Sequence, residues 1–469
     1  MRTAWTLEQV LLACKGELVE PVPEPGVLFG SVTTDTRNLG RGQLFVALRG
    51  ERFDGHDFLE QALEKGAAGL LLDRDAGIDF SGLAHRVPVI LVPGTLKALG
   101  DLAAYWRAGW EGRLIAVTGS NGKSSTKEFC WSILNTSGIN TLKNKGNFNN
   151  LVGLPLTLLG LCDEHHAAVV ELGTNAPGEI ARLAEIARPD VAAVLNVGRA
   201  HLEGLGSLDG VAAEKGAIYE KLSENGVAVA NLDDELASRG AFSSRAERRV
   251  TFGRTRGADV RILDPIEVSE VSTNFTLLVY GRKLKISLKT AGVHHAMNAA
   301  AATALALEAG ARIDAVEQGL GDTQPLQGRF IIRRFSGIRV IDDTYNANPA
   351  SVKASLHTLS LLKGDKKAVL VMGEMLELGT GAEALHREIG RTARELGIDL
   401  IVALPGAEEI VSAAVEAGVS KGSCLAARNP RDVATWLAER IQPGDFVLIK
   451  GSRGSRTERV IAAISEVLV

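Results

Sequence analysis

The sequence predicts an α/β protein in three domains: a small α/β unit over residues 1–95, a central parallel, helix-covered sheet with a small antiparallel addition over 96–326, and a Rossmann-like open sheet over 327–469. Three observations predict it. The apolar run Leu114-Ile115-Ala116 enters a Gly-rich turn and then a helix, the strand–turn–helix order of a doubly wound sheet. Short β-rich runs alternate with helical runs through the middle of the chain. The alternation stops at Gln324-Pro325-Leu326-Gln327-Gly328, a joint of turn residues, and restarts beyond it. At 469 residues the chain is too long for a single core.

The first region mixes short helices and strands at 27–33, 43–48, 59–65, 69–72 and 89–92. The central region opens with a helix near 96–106. Strand-like runs at 167–171, 191–196 and 227–230 are separated by helical runs at 180–187 and 208–222. Runs at 275–279 and 284–288 flank Tyr280-Gly281-Arg282-Lys283 and predict an edge hairpin. A helix over 294–307 ends near Gly310, a natural stop. Beyond the joint, strands at 339–341, 368–372, 400–403 and 446–449 alternate with helices at 351–362, 383–396, 407–416 and 431–439. That region has no GxGxxG, so a nicotinamide role is not supported.

Composition excludes several functions. Hydrophobic residues make up 45% of the chain and charged residues 23%, the balance of a soluble globular protein. Fifty-two basic against 56 acidic residues give a formal charge of −4, with no global pull toward nucleic acid or an anionic membrane. Cys14, Cys130, Cys162 and Cys424 lack CxxC spacing. This argues against structural zinc or a disulfide scaffold and suits a reducing cytoplasm. Glu8 and Gln9 interrupt the N-terminal apolar run, and the Ala-rich stretch 299–307 is too short to cross a bilayer. Neither a signal peptide nor a membrane span is expected.

The densest chemistry lies in Val117-Thr-Gly-Ser-Asn-Gly-Lys-Ser-Ser-Thr126. A strand running into such a turn aims backbone N–H groups inward as an anion cradle. Gly119 and Gly122 let the backbone approach phosphates with no Cβ in the way, around Ser120, Asn121 and Ser125. Lys123 can reach β- and γ-phosphates, and Ser124 can offer its hydroxyl to Mg2+. Val117 stands where the full Walker pattern has its first glycine. An ordinary strand–turn–helix joint is the alternative, but strand and helix context favour ATP or GTP binding and hydrolysis.

Other candidates stand at carboxyl ends of expected strands, where doubly wound sheets gather ligands. Glu171 offers oxygen to Mg2+ there; a solvated loop acid is the alternative. His201 follows the next strand and Lys215 lies on the helix after it. Taken singly, the first reads more readily as a satisfied structural histidine, and the second as a lysine on a solvated helix face. The adjacent acids Asp342 and Asp343 need solvent, a cation or donors. Asn346-Ala347-Asn348-Pro349 is a turn that opens a helix, so simple capping is the alternative reading for Asn348. Lys450-Gly-Ser-Arg453, with Gly451 and Gly454, is an anion-friendly turn or simply a basic loop before a helix.

Nine motifs in order carry a family resemblance over nearly the whole chain. They are Thr118-Gly-Ser-Asn-Gly-Lys-Ser-Ser, Asn147-Phe-Asn-Asn-Leu-Val-Gly-Leu-Pro, Glu171-Leu-Gly-Thr-Asn-Ala-Pro-Gly-Glu-Ile and His201-Leu-Glu-Gly-Leu-Gly-Ser, then His294-His-Ala-Met-Asn, Gly328-Arg-Phe, Asp342-Asp-Thr-Tyr-Asn-Ala-Asn-Pro, Gly373-Glu-Met-Leu-Glu-Leu-Gly and Lys450-Gly-Ser-Arg. The chain resembles the Mur ligase family, ATP-dependent amino-acid ligases of peptidoglycan precursor synthesis. Within it the chain is most similar to members that add D-alanyl-D-alanine to UDP-N-acetylmuramoyl-tripeptide. The resemblance makes the first region a UDP-substrate domain and the second a P-loop ATPase domain. It implies ATP and Mg2+ as cofactors, these two substrates, and a monomeric bacterial cytoplasmic enzyme without nucleic-acid or membrane partners.

The resemblance also implies roles. Lys123 would hold the phosphates within the loop Gly119, Ser120, Asn121, Gly122, Ser124 and Ser125. Ser124 and Glu171 would bind one Mg2+; Glu171, His201 and Lys215, the last as a carbamate, would serve a second. A neutral lysine amine that captures CO2 becomes an anionic oxygen ligand, which suits a hard cation. Asn298 would meet adenine, and Arg329 and Asp343 would approach ATP. Tyr345, Asn346 and Asn348 would line the same cleft, and Lys450, Ser452 and Arg453 would lie near the incoming dipeptide. Thr34, Asp35 and Arg37, in Ser31-Val-Thr-Thr-Asp-Thr-Arg, match the UDP-binding domain, as does Arg49-Gly-Glu-Arg-Phe-Asp-Gly-His-Asp-Phe; a polar turn is the alternative. Asn147, Asn149, Asn150, Thr174 and Asn175 would meet sugar and peptide, although Asn-rich loops also arise for conformational reasons.

Three rivals fit less well. The sibling ligase that adds the third residue carries, in its diaminopimelate-using members, Asp-Asn-Pro-Arg after a Rossmann-type strand; here Leu404-Pro-Gly-Ala follows that strand, and Arg428-Asn-Pro-Arg comes later. Folylpolyglutamate synthase shares the ATP core but lacks such a first domain. A regulatory GTPase needs an Asn/Thr-Lys-x-Asp motif, which is missing.

Overall fold

The run Arg113–Thr118 is buried at every position but its first, which only a strand covered on both faces sustains. In the computed structural model, which describes residues 4–21 and 26–467, this strand lies inside a nine-stranded sheet. From one edge the order is Arg282–Leu288, Thr273–Val279, Val260–Val268, Arg248–Gly253, Val227–Asn231, Val191–Val194, Arg113–Thr118, Ala167–Glu171 and Thr141–Lys143. The last seven run parallel and the first two are antiparallel. The register pairs Glu171 with Val117 and Val194 with Thr118, so three carboxyl ends finish together beside the Gly-rich turn.

The antiparallel addition is larger than the expected hairpin. Val260–Val268 joins it as a third strand, with an irregularity between Leu263 and Glu267. Arg261, Asp264, Pro265 and Glu267 hide its apolar pattern. The connection between the other two strands is a two-residue turn, Tyr280-Gly281, not the expected four residues. Val279 pairs with Arg282, and both turn residues have positive φ, 46° and 86°, the twist that closes a hairpin tightly.

In the first region a five-stranded sheet runs Glu17–Leu18, Val89–Val92, Gly69–Asp73, Leu44–Val46, Val32–Thr33. The expected single run 27–33 divides: Leu28–Phe29 pairs with Trp5–Thr6, and Val32–Thr33 joins the larger sheet. Helix Thr95–Ala108 packs Leu99, Leu102 and Trp106 into one cluster with Trp5, Phe29 and Ile90 on one side and Leu114, Leu154 and Leu183 on the other. The core is therefore continuous across residue 95.

The third sheet runs Ile331–Phe335, Ile338–Asp343, Phe446–Lys450, Ala368–Met372, Leu400–Ala403, Cys424–Ala426, parallel except for its first strand. Helices Pro349–Lys363, Ala382–Glu395, Glu408–Glu416, Pro430–Ala438 and Glu458–Val467 cover it. The expected helix 208–222 is α-helical only over Leu208–Gly216 and continues as a tighter 3-10 turn, Ala217–Lys221. Among the described residues no helix is long and apolar enough to cross a membrane.

Candidate active site

Strand Arg113–Thr118 passes through Gly119 (φ 154°) and Gly122 (φ 85°) into helix Lys123–Thr136. Gly122 is required twice. Its backbone is left-handed, and a Cβ there would lie 2.2 Å from Asn298 Oδ1. Asn298 on helix His294–Glu308 thus closes one wall of the loop. The loop is pinned to the end of the neighbouring strand. Asn121 N donates to Asn196 Oδ1 (2.8 Å), Asn196 Nδ2 donates to Asn121 O (3.0 Å), and Gly198 N donates to Ser120 Oγ (2.9 Å). Lys123 Nζ folds across the mouth and donates to Gly119 O at 2.8 Å. Burial pushes its pKa down; Glu171 opposes that shift and Arg329 adds to it.

Glu171 is buried at the end of its strand. Asn149 Nδ2 donates to its Oε1 at 2.8 Å, and Asn144 bonds its main chain at both N and O. No donor reaches its Oε2 among the described residues; the nearest cation, Lys127 Nζ, is 4.0 Å away. A buried carboxylate oxygen without a donor is costly unless a cation completes it. The solvated-acid alternative for Glu171 is therefore excluded, and the donor chemistry fits Mg2+.

Lys215 is equally buried, on helix Leu208–Gly216. Burial, then repulsion from Lys123, lowers its pKa to about 7, against the pull of Glu214. This is no solvated helix lysine. Glu214 accepts from Thr174 Oγ1 (3.1 Å), Gly178 N (2.7 Å) and Ile180 N (2.7 Å), and so holds the loop that carries Thr174 and the exposed Asn175.

The third sheet reaches this site through several side chains. Arg329 donates to Ser124 Oγ at 3.0 Å and stacks on Tyr345, 4.2 Å from the ring centroid. Asn348 Nδ2 donates to Asn121 Oδ1 at 2.8 Å, while Asn348 Oδ1 caps helix Pro349–Lys363 by accepting from Ser351 N. Capping and loop contact are both real. His201 Nδ1 lies 2.5 Å from Glu377 Oε2. Ser125 lines a cleft with Phe129, His295, Thr323, Pro325 and Arg329.

Other expected residues take different places. Lys450, expected beside an incoming carboxylate, is buried and spends its charge internally: Nζ donates to Asp343 Oδ2 (2.6 Å) and Asn346 O (3.0 Å). Asp343 also accepts from Ser355, and Asp342 from Arg333 and Thr344, so protein donors satisfy both acids. Gly451 is closely packed: a Cβ there would lie 2.5 Å from Ser455 Oγ and 3.2 Å from Gly373 Cα. Ser452 Oγ accepts from Leu376 N and donates to Ala347 O, while Arg453 is exposed. Asn150 opens helix Gly153–Leu158 by accepting from Val152 N and Gly153 N, and Asn147 is exposed. Asp35 accepts from Arg37 N and pairs with the Arg37 guanidinium, beside the intermediate Thr34. This polar turn sits at a sheet edge, and no hydrogen bond joins it to the phosphate loop among the described residues.

The sequence reading missed Asn144, Asn196, Glu214 and Lys127. The signal available was weak: each is a polar residue whose burial depends on tertiary neighbours.

His295 is buried and His294 half-buried, with ring centroids 4.2 Å apart, and His294 Nδ1 and both His295 nitrogens have no partner among the described residues. Burial lowers His294 to about 4 and His295 well below its ordinary value. The unfolded chain takes up these protons near pH 6.5 and the folded one does not. Stability therefore falls as pH drops from 6.5 toward 4. Urea midpoints should decline across that window, and His294→Gln should flatten the decline.

Three family models match the chain: Mur ligase middle domain over residues 117–306, Mur ligase, glutamate ligase domain over 328–453, and Mur ligase family, catalytic domain over 29–107. The UDP-N-acetylmuramoyl-tripeptide--D-alanyl-D-alanine ligase of Escherichia coli (strain K12) is 39% identical over 464 residues, 98% of each chain. The protein of that name from Bacillus subtilis (strain 168) is 36% identical over 462 residues, again 98% of each. MurF from Acinetobacter baumannii superposes with a TM-score of 0.89 at 34% identity, covering 99% of both chains. MurF ligase from Thermotoga maritima, solved in complex with ADP, gives 0.82 at 31% identity over 93% of this chain and 97% of that one. The phosphate loop, the buried carboxylate beside it and the third sheet, whose side chains meet the loop, stand inside the matched segments, and the chain belongs to the Mur ligase family.

Proposed function

We propose that this protein is an ATP-dependent, ADP-forming ligase that joins D-alanyl-D-alanine to UDP-N-acetylmuramoyl-tripeptide in peptidoglycan precursor synthesis. The observation that carries the phosphoryl-transfer half is the buried Glu171 Oε2 beside the phosphate loop, which has no donor among the described residues. Whole-length similarity to relatives named for this reaction supports the choice of substrates.

The tripeptide carboxylate attacks the γ-phosphorus of ATP, the bond to the ADP oxygen breaks, and an acyl phosphate forms. The dipeptide amine then attacks the acyl carbon, phosphate leaves with the C–O electron pair, and the amine loses its proton. A carboxylate alone is a poor acylating agent, so this activation makes the amide accessible. Lys123 would offset charge on the transferring group, within the loop of Gly119, Ser120, Asn121, Gly122 and Ser125. Ser124, Glu171, His201 and carbamoylated Lys215 would hold Mg2+, which when bound neutralises the phosphoryl oxygens. Among the described residues no three His, Cys, Asp or Glu side chains cluster, so hydroxyl and carbamate oxygens are needed to complete that set. Asn298 and Arg329 would contact the nucleotide. Arg329 and Asn348, already on the loop, and Tyr345 stacked on Arg329 would exclude water from the acyl phosphate. Thr34, Asp35 and Arg37 would meet the uridine diphosphate, and Asn149 and Thr174 the sugar and peptide.

Phosphate release with UDP-N-acetylmuramoyl-tripeptide and ATP tests this reading, with D-alanyl-D-alanine offered against single amino acids. Release should depend on the dipeptide. Equal rates with single amino acids would place the chain elsewhere in the family.

A further inference from the structure

His201 and Glu377 come from different sheets, and both have left-handed backbones, φ 57° and 62°. Non-glycine residues are rare there, and paired instances facing each other need a reason beyond packing. Their contact has two points. His201 Nδ1 meets Glu377 Oε2 at 2.5 Å, and Glu203 N donates to Glu377 O at 3.2 Å. Gly379 lies beside the same turn: a Cβ there would be in ordinary contact with Glu203 Cα, at 3.5 Å. The Glu377 side chain is 48% exposed, and ion pairs so exposed contribute little to stability.

The contact matters for orientation. An imidazole whose Nδ1–H donates to a carboxylate presents Nε2 as a lone pair, the form a cation binds. The carboxylate is supplied by the third sheet, whereas His201 follows a strand of the central sheet. We propose that Glu377 is a positioning residue: docking of the third domain fixes the His201 ring and tautomer, and so completes the Mg2+ set only in the docked state. This rests on the reading of His201 as a metal ligand.

The test compares wild type, Glu377→Ala, Glu377→Gln and His201→Ala in the full chain. Glu377→Ala should raise the Mg2+ concentration for half-maximal phosphate release by about 10–100-fold. Glu377→Gln, which still offers an accepting oxygen, should restore part of that loss. ADP affinity measured without Mg2+ should not change. A second readout is independent of turnover: 15N imidazole shifts with Mg2+ and the non-hydrolysable analogue AMPPCP bound should show His201 as the Nδ1–H tautomer in wild type and not in Glu377→Ala. An unchanged Mg2+ requirement in Glu377→Ala, with a raised one in His201→Ala, overturns the positioning role and leaves the metal role of His201 standing. An unchanged requirement in His201→Ala overturns both.

Discussion

Lys123→Ala is expected to lower ADP release by on the order of a thousandfold while leaving the chain folded. The size follows from where the amine sits. Its one protein bond among the described residues is to Gly119 O, so the charge does nothing for the fold that the loop backbone does not already do. Burial, moreover, makes this cation expensive to keep in the folded state. A half-buried cation at the mouth of an anion cradle is repaid when phosphates arrive, and repaid most where negative charge builds up during transfer. Alanine leaves the glycines, Asn121 and Asn196 in place, so the cradle keeps its shape. Circular dichroism and the thermal midpoint should stay near wild type while turnover collapses. Retained turnover in a folded variant would refute the assignment of this loop to ATP.

The parallel sheets were legible because strands covered on both faces must be continuous apolar runs. Arg113–Thr118, Ala167–Glu171, Ala368–Met372, Leu400–Ala403 and Phe446–Lys450 are such runs. The edge hairpin at 275–288 was legible from its paired apolar runs, but several other edge and transition strands were not. Ile331–Phe335 carries Arg333 and Arg334, and Val260–Val268 carries three charged residues and a proline. Their positions depend on a neighbour strand that the local pattern does not reveal.

The site divides along the same line. The loop glycines and Lys123 declare themselves locally, because a phosphate cradle is built from contiguous residues. Lys127 and Glu214 look like ordinary helix-surface charges, and only folding shows that each is buried beside a functional group. Lys450 shows the converse. A cation after a strand suggests a bound anion, but Asp343, 107 residues away in sequence, occupies it. Asn348 satisfies both readings at once, since its amide has an oxygen for the helix and a nitrogen for Asn121.

The carbamate assignment makes the other large prediction. Lys215→Arg should lower turnover by on the order of a hundredfold or more, although the positive charge is kept. Arginine stays protonated at all working pH values, and its guanidinium does not capture CO2. The lysine amine, with its pKa lowered to about 7 by burial, is largely neutral just above neutrality. It can then attack CO2, form the N–C bond, release a proton and become an oxygen anion. The sign for pH follows: a neutral amine is the reactive form, so carbamate formation and turnover should rise as pH increases through about 7. Because arginine could also fail to fit a fully buried site, wild type in CO2-stripped buffer provides the independent measurement. Activity should fall there and return on adding bicarbonate, with the thermal midpoint of the variant recorded alongside. Near-normal turnover in a folded Lys215→Arg chain, or indifference of wild type to CO2, would leave the buried amine without a part in metal binding and shift that burden to Glu171 and Ser124.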